Sequence, residues 1–277
     1  FAPQAQAYEP QCRGHRSVLV AAATMSVKLY YFGLRARGEA LRMMMRYGGL
    51  PYEDHIVPFK DWLAGKKEQV PAGRTGQRQL PLLELPGGDL LPESFDIAMY
   101  IAARTTPSLL GEDPAQAERL FKLGDTENTP FGSGYKHYAT VNPILNKLPK
   151  EEAEALIPAY VAALPGTLRY LAGELGGRRF FGGDAPHYAD FQVWHYVDNM
   201  RTLDGGATLE ALGEPGEVLQ AWYDAVAALP GVAEYLASRP QPGTGQVGLE
   251  GSIHHTVAVP SELPVVREAL KQRAAGL

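Results

Sequence analysis

The chain has 277 residues, 45% of them hydrophobic, and a formal net charge of -5 from 26 basic and 31 acidic residues. This length is enough for two domains of ordinary size, and the charge balance argues against a nucleic-acid surface. Cys12 is the only cysteine, which excludes an internal disulfide, a CxxC redox pair and a cysteine-based zinc site, and indicates a reducing compartment. The longest apolar run near the N-terminus, Val18 to Val27, is about half of what a bilayer crossing needs.

Residues 1–25 read as a targeting-like or disordered segment. Basic residues outnumber acidic ones there, and the segment has little apolar periodicity. Its Phe-Ala-Pro start is similar to transit peptides of complex plastids, while the alternative is a tail ahead of a natural start at Met25. We therefore expect a location in the cytoplasm or in a plastid.

The segment 26–105 is predicted to be a small α/β domain. "VKLYYF" alternates as a strand does, and "GEALRMMMRY" is a helix that ends at Gly48-Gly49. "YEDHIVPF" is a second strand, and "QLPLLEL" and "GGDLL" form a hairpin. "ESFDIAMYIAAR" is a helix with Ser94 as its N-cap. The resulting order is βαβ followed by ββα.

The segment 114–240 is predicted to be all-α. It follows the proline-containing connection "TTPSLLGEDP", and long stretches such as "EVLQAWYDAVAALPGVAEYLA" have helical spacing. Residues 241–277 start with a Gly- and Pro-rich stretch and are predicted to be an extension of little regular structure.

Three motifs resemble those of the soluble glutathione S-transferases, in the same order and spacing. They are "YFGLRARGEALR", "LPLLEL" followed by "LLPESFDIAMYIA", and "FFGGDAPHYADFQVWHYVD". The resemblance is strongest to the sigma-like group that includes the glutathione-dependent prostaglandin D synthases. It implies a thioredoxin-like N-terminal domain followed by an all-helical domain, with glutathione as co-substrate.

The resemblance selects Tyr31 as the catalytic tyrosine, because the family places it directly before the Phe of a "YF" pair. A strand turns adjacent side chains to opposite faces, so Tyr30 is expected to pack in the core or at the domain boundary. Arg37 matches an arginine that supports the tyrosine or the tripeptide. The alternative for Arg37 is a surface salt bridge to Glu39.

Further positions are implied to bind glutathione. Pro81 matches a cis-proline that presents the backbone of Leu80 to the cysteinyl part. Trp62 and Lys66 match the glycyl end, for which Lys67, Arg74 and Arg78 compete because the segment from 68 to 79 is longer than is typical. The remaining matches are Gln79 and, at the γ-glutamyl end, Glu93 and Ser94.

The acceptor pocket is expected between the domains. Its predicted lining residues are Leu34, Arg35, Phe131, Tyr135 and Tyr138, although the aromatic residues of "PFGSGYKHY" are equally explained as helix packing. The histidines have no partners at metal-ligand spacing, so no metal is expected.

Two departures from the family pattern are Asp96, where a small residue is usual, and His187, in place of a hydroxyl N-cap beside Asp190.

The predicted function is glutathione transfer to a small electrophile, or isomerisation with glutathione, in a homodimer. Asp125 or Glu127 is expected to reach the partner's glutathione site. The alternative is a non-enzymatic structural or assembly protein of the same fold, which the departures favour and the retained Tyr31, Pro81 and Ser94 oppose.

Overall fold

A computed structural model of the chain describes residues 26–33, 35–125, 157–204 and 206–239. The first part contains β1 (Val27–Phe32), α1 (Ala36–Tyr47), β2 (Tyr52–Val57), α2 (Phe59–Leu63), β3 (Leu82–Glu84), β4 (Leu90–Pro92) and α3 (Ser94–Arg104). The second contains α4 (Pro114–Phe121), a 3-10 turn (Lys122–Asp125), α5 (Ile157–Leu175), α6 (Tyr188–Asp204), α7 (Ala207–Glu210), α8 (Glu214–Ala227) and α9 (Val232–Ser238).

The strands form one four-stranded sheet in the order β2-β1-β3-β4. β1 and β2 are parallel, with Tyr31 opposite Ile56, as a βα-β connection through α1 requires. β3 runs antiparallel to both β1 and β4, so the predicted hairpin through Gly87-Gly88 is present. The predicted βαβ-ββα order and the helical second part are confirmed.

The two faces of the sheet are covered by different parts of the chain. The inner face, which includes Leu29, Tyr31 and Leu83, belongs to the main core, shared with α1, α3 and the helices from α4 to α9. The outer face belongs to a small cluster of Tyr30, Val57, Val70 and Leu82, against which Trp62 and Leu80 pack. The segment between β2 and β3 therefore covers the outer face.

One predicted helix detail is wrong. Ser94 is the first helical residue of α3 rather than its N-cap, because Glu93 occupies the cap position with φ 67° and without a side-chain cap bond. The stretch "EVLQAWYDAVAALPGVAEYLA" is two helices, because Pro230 lies between α8 and α9 and cannot continue a helix. The second part starts at Pro114, where Asp113 accepts the N–H of Gln116 at 3.0 Å.

Asp190 organises the start of α6 without help from a hydroxyl N-cap. Its carboxylate, fully buried, accepts the backbone N–H of Phe181 at 2.8 Å and of His187 at 2.9 Å, together with the indole N–H of Trp222 at 2.9 Å. The departure at His187 is therefore compensated, because the backbone of His187 still donates to this carboxylate.

Predictions about residues 1–25, 126–156 and 240–277 lie outside the described residues, and the exact domain boundaries stay predictions. Among the helices that the structure does describe, none combines the length and the apolarity that a membrane crossing demands.

Candidate active site

The two adjacent tyrosines of β1 lie on opposite faces of the sheet. Tyr31 is 5% exposed and belongs to the main core, whereas Tyr30 is 6% exposed and belongs to the outer cluster. The strand period predicted this separation. Tyr30 packs in a core of its own and not at the boundary with the helical part.

The Tyr31 hydroxyl lies at the start of α1. The backbone N–H of Arg37 donates to it, with 3.2 Å between nitrogen and oxygen. Burial raises the pKa of Tyr31 above its ordinary value, although this N–H bond and the positive charges of Arg42 and Arg37 act in the opposite direction. The phenol is therefore protonated at neutral pH, and a hydroxyl that accepts an N–H keeps its own proton to donate.

Gly38 allows α1 to approach Tyr31 closely. A Cβ atom at this position would lie 2.4 Å from Cδ1 of Tyr31 and 2.9 Å from Nη1 of Arg42. Arg42 is itself held by Asp54, with 2.7 Å between Nε and Oδ2, and by the carbonyl of Phe32 at 2.9 Å. The first turn of α1 is thus packed directly against the tyrosine ring.

The Tyr30 hydroxyl makes the opposite kind of hydrogen bond. It donates to Oε2 of Glu84 at 2.7 Å. Burial and then the Glu84 carboxylate raise the pKa of Tyr30 to about 12. Its only proton is therefore already engaged in a hydrogen bond to a carboxylate.

Arg37 connects Tyr31 to the start of α3. Its Nη1 lies 3.4 Å from Oγ of Ser94, while its backbone N–H bonds Tyr31. The alternative, a surface salt bridge to Glu39, is wrong because Glu39 is 1% exposed and is bonded by Tyr235 and Arg239.

The positions predicted for the γ-glutamyl and cysteinyl parts meet near Arg37. The Leu80–Pro81 peptide bond is cis, as the resemblance implied. Nε2 of Gln79 donates to Oε1 of Glu93 at 2.9 Å, and Ser94 follows directly in the chain. The positive φ of Glu93 is a conformation that a non-glycine residue holds only when its surroundings impose it, and such residues concentrate at binding sites.

The positions predicted for the glycyl end lie on α2 and after it. The Trp62 ring packs edge-on against Phe32, with 5.8 Å between the ring centres. The Lys67 ammonium lies 4.4 Å from the centre of the Trp62 ring, whereas Lys66 is 3.7 Å from Asp61 and largely exposed.

Two arginines compete with these lysines for the glycyl end. Nε of Arg78 donates to the carbonyl of Val70 at 2.8 Å, and Arg74 is exposed. Lys67 therefore joins Trp62 as a candidate for the glycyl end, through its contact with the ring.

Of the five residues predicted to line the acceptor pocket, Arg35 alone is among the residues that the structure describes. Leu34, Phe131, Tyr135 and Tyr138 lie outside the described residues, as do Glu127 and the side chain of Asp125. Arg35 is 5% exposed, and its Nη1 is 2.8 Å from Oδ2 of Asp198 on α6. Burial lowers the pKa of Arg35, and Arg239 adds to this effect. A contact between Arg35 and an acceptor stays a prediction.

Arg35 belongs to a buried group that sequence reasoning missed, which we call the ion cluster: Arg35, Glu39, Asp198 and Arg239. Arg239 bonds Glu39 through Nη1 and lies 2.9 Å from Asp198 through Nη2. Tyr235 donates to Glu39 at 2.7 Å. The residues come from the β1–α1 connection, α1, α6 and the end of α9, and no local pattern relates them.

The charges of the ion cluster sustain each other's ionised forms. Burial alone would raise the pKa of Glu39, but the positive charge of Arg239 and further charges nearby lower it below its ordinary value. The pKa of Asp198 is lowered in the same way by Arg239 and Arg35 against the effect of burial. His195, which is buried beside the cluster, has its pKa lowered to about 4, chiefly by burial. It is neutral at pH 7.

No group of three or more His, Cys, Asp or Glu side chains suited to a metal ion occurs in the described part of the chain.

Comparisons with known proteins agree with the motifs. A family model described as "Glutathione S-transferase, N-terminal domain" matches residues 38–104, and one described as "Glutathione S-transferase, C-terminal domain" matches residues 137–239. The two together span more than half of the chain.

Relatives match over nearly their whole length. Hematopoietic prostaglandin D synthase of Gallus gallus is 29% identical over 214 residues, which are 77% of this chain and 96% of the relative. Probable glutathione S-transferase 6 of Caenorhabditis elegans is 27% identical over 220 residues, with the same shares. The solved structure of a Fasciola hepatica sigma class GST has a TM-score of 0.59 at 22% identity, covers 79% of this chain and 98% of its own, and shows the shared fold.

Proposed function

Because the chain belongs to the glutathione S-transferase family of enzymes, we propose that it activates the thiol of glutathione through the Tyr31 hydroxyl. The activated thiolate then adds to a small electrophile, or is used to isomerise one. The observation that carries this proposal is the Arg37 N–H bond to the Tyr31 oxygen, which leaves the phenol proton available for a further acceptor.

One hydroxyl can supply most of the free energy that is needed to lower the pKa of the glutathione thiol. A thiol of pKa about 8.5 is only a few per cent thiolate at pH 7. Lowering that pKa by about two units requires roughly 2.7 kcal/mol of preferential binding to the anion. A hydrogen bond to a charged group contributes about 1.5 to 3 kcal/mol, and the N-terminus of α1 adds a favourable dipole.

The tripeptide is proposed to lie along the residues already brought together. The Ser94 hydroxyl and the N–H groups at the start of α3 suit the γ-glutamyl carboxylate, and Glu93 suits its ammonium group. The backbone of Leu80, beside the cis bond to Pro81, is proposed to pair with the cysteinyl part like an added strand. The glycyl carboxylate is assigned to Lys67 and Trp62.

The reaction class rests on the relatives. One is named a prostaglandin D synthase and another a probable glutathione S-transferase, so both isomerisation and conjugation fit the same activated thiolate. We propose a sigma-like, tyrosine-type enzyme with a hydrophobic electrophile, active in detoxification or in the synthesis of a signalling lipid.

The alternative, a non-enzymatic protein of the same fold, loses one of its supports, because the departure at His187 is compensated by Asp190. Retention on immobilised glutathione is expected for the enzyme, and a protein that passes through the resin would favour the structural role.

The subunits are proposed to form a homodimer, as the resemblance implied, located in the cytoplasm or a plastid. Sedimentation at micromolar concentration tests the dimer, and a monomer alone would remove it.

Activity with a generic aryl halide tests the proposed function. Tyr31→Phe is expected to lower kcat/KM at pH 6.5 by roughly tenfold to a hundredfold, and the loss should shrink near pH 9, where the thiol ionises unaided. Tyr30→Phe is the matched control and should retain nearly full activity. Full activity in Tyr31→Phe, or an equal loss in both variants, would contradict the proposal.

A further inference from the structure

The ion cluster joins the start of α1 to the helical part of the molecule. Glu39 stands in the first turn of α1, Asp198 on α6, and Arg239 directly after α9. The Arg239 guanidinium is bonded to both carboxylates, and its side chain is 8% exposed. The buried Arg239 side chain thus links the end of α9 to α1 and to α6.

The same turn of α1 carries the donor to Tyr31. The N–H groups of Gly38 and Glu39 both bond the carbonyl of Arg35, at 3.1 and 2.9 Å, which closes this turn. Arg37, whose N–H bonds the Tyr31 oxygen, lies within it. A force that moves Glu39 therefore moves the Arg37 N–H as well.

We propose that Arg239 is a positioning residue for the reaction: by holding Glu39 against Asp198, it fixes the first turn of α1 and with it the Arg37 N–H that orients the Tyr31 hydroxyl. This inference rests on the proposed function and adds to it a residue far from the tyrosine in sequence.

The chemistry of the cluster explains why the effect should be large enough to measure. Removing the Arg239 charge leaves two buried carboxylates, of which Asp198 keeps Arg35 while Glu39 keeps the Tyr235 hydroxyl. A buried carboxylate that loses its cation moves toward water or takes up a proton. Either response shifts the turn that contains Arg37. A lysine retains the charge but lacks the planar fork that reaches both acids at once.

The test uses the full chain with Arg239→Gln, and Arg119→Gln as its control. Arg119 pairs with Glu174 at 3.0 Å and is half exposed, so the control removes an equal charge and an ion pair elsewhere. Arg239→Gln is expected to raise the apparent pKa of bound glutathione by on the order of half a unit. It should lower kcat at pH 6.5 more than it raises KM, with recovery at alkaline pH. Arg119→Gln should do neither.

A double variant separates positioning from general damage. If Arg239 acts through Tyr31, Arg239→Gln adds no further pKa rise in a Tyr31→Phe background. A further rise of the same size there, or a wild-type pKa in Arg239→Gln itself, would overturn the inference. If Arg239→Gln does not fold, Arg239→Lys takes its place, with a smaller rise expected and an unchanged pKa again overturning the inference.

The two proposals fail in different ways. If Tyr31→Phe leaves the thiol pKa unchanged, the proposed function is wrong and the inference falls with it. If Tyr31→Phe raises that pKa while Arg239→Gln does not, the inference alone is wrong.

Discussion

The two faces of the sheet carry the same residue type in adjacent positions and put it to different use. On the inner face, Tyr31 accepts an N–H and is surrounded by α1 and the helical part. On the outer face, Tyr30 donates to Glu84 and is covered by the segment between β2 and β3. Both side chains are buried and both phenols have raised pKa values.

The difference between the faces lies in the partner of the hydroxyl and not in its burial. A phenol that donates its proton in a hydrogen bond to a carboxylate has no second proton to donate, whereas a phenol that accepts an N–H can still donate to another anion. The inner face therefore offers a hydrogen bond to a thiolate, and the outer face offers a local structural bond.

Substitution of two adjacent leucines on β3 compares how much packing on each face contributes to stability. Leu83 faces the main core and Leu82 the outer cluster, and both are buried. Leu83→Ala is expected to cost about 3 to 5 kcal/mol of unfolding free energy, and Leu82→Ala about 2 to 3, because the covering segment can collapse into the smaller cavity. Urea unfolding measures both values, and a larger cost for Leu82→Ala would contradict the assignment of the faces.

His195 tests whether a neutral imidazole is buried behind the inner face, beside the ion cluster. Its folded pKa of about 4 lies below the ordinary 6.5, so the unfolded chain binds the extra proton between these values. Stability is full above about pH 6.5 and falls as the pH drops toward 4, by about 2 to 4 kcal/mol from this residue. His195→Gln should flatten the decline over that window, when unfolding free energy is measured against pH. An unchanged slope would contradict burial of the neutral imidazole.

Gly38→Ala tests the close contact on the inner face. The added methyl group would overlap the Tyr31 ring, so α1 or the ring must move, at a cost of about 1 to 3 kcal/mol. Thermal unfolding measures this cost, and thiol titration should show a raised pKa of bound glutathione. Gly173→Ala, at a helical glycine of α5 with no neighbour within 4 Å of the added atom, is the control for crowding. A Gly38→Ala variant that behaves like the wild type would show that α1 lies further from Tyr31.

The fold could be predicted from the sequence because its signals are local and agree with one another. The alternation around Tyr31, the Gly48-Gly49 stop and the turn at Gly87-Gly88 each predict one element, and together they predict the βαβ-ββα order. The position of the α3 start could not be read in the same way. Its cap residue, Glu93, adopts a positive φ that no preference of glutamate indicates.

The ion cluster could not be predicted from the sequence at all. Glu39 and Arg239 are 200 positions apart, and each stands among charged and apolar residues that are ordinary for a helix surface. Their burial follows from how α1, α6 and α9 pack, which is a tertiary property. The same limit explains why the ion pair between Arg35 and Asp198 was not predicted.

The central claim is that Tyr31, and not Tyr30, lowers the pKa of the glutathione thiol. Ultraviolet absorption of the thiolate, followed against pH in the binary complex with glutathione, measures that pKa in the wild type, Tyr31→Phe and Tyr30→Phe. We expect a rise of about one to two units for Tyr31→Phe and a change within the error of the measurement for Tyr30→Phe. An unchanged pKa in Tyr31→Phe, or a larger rise in Tyr30→Phe, would contradict the account.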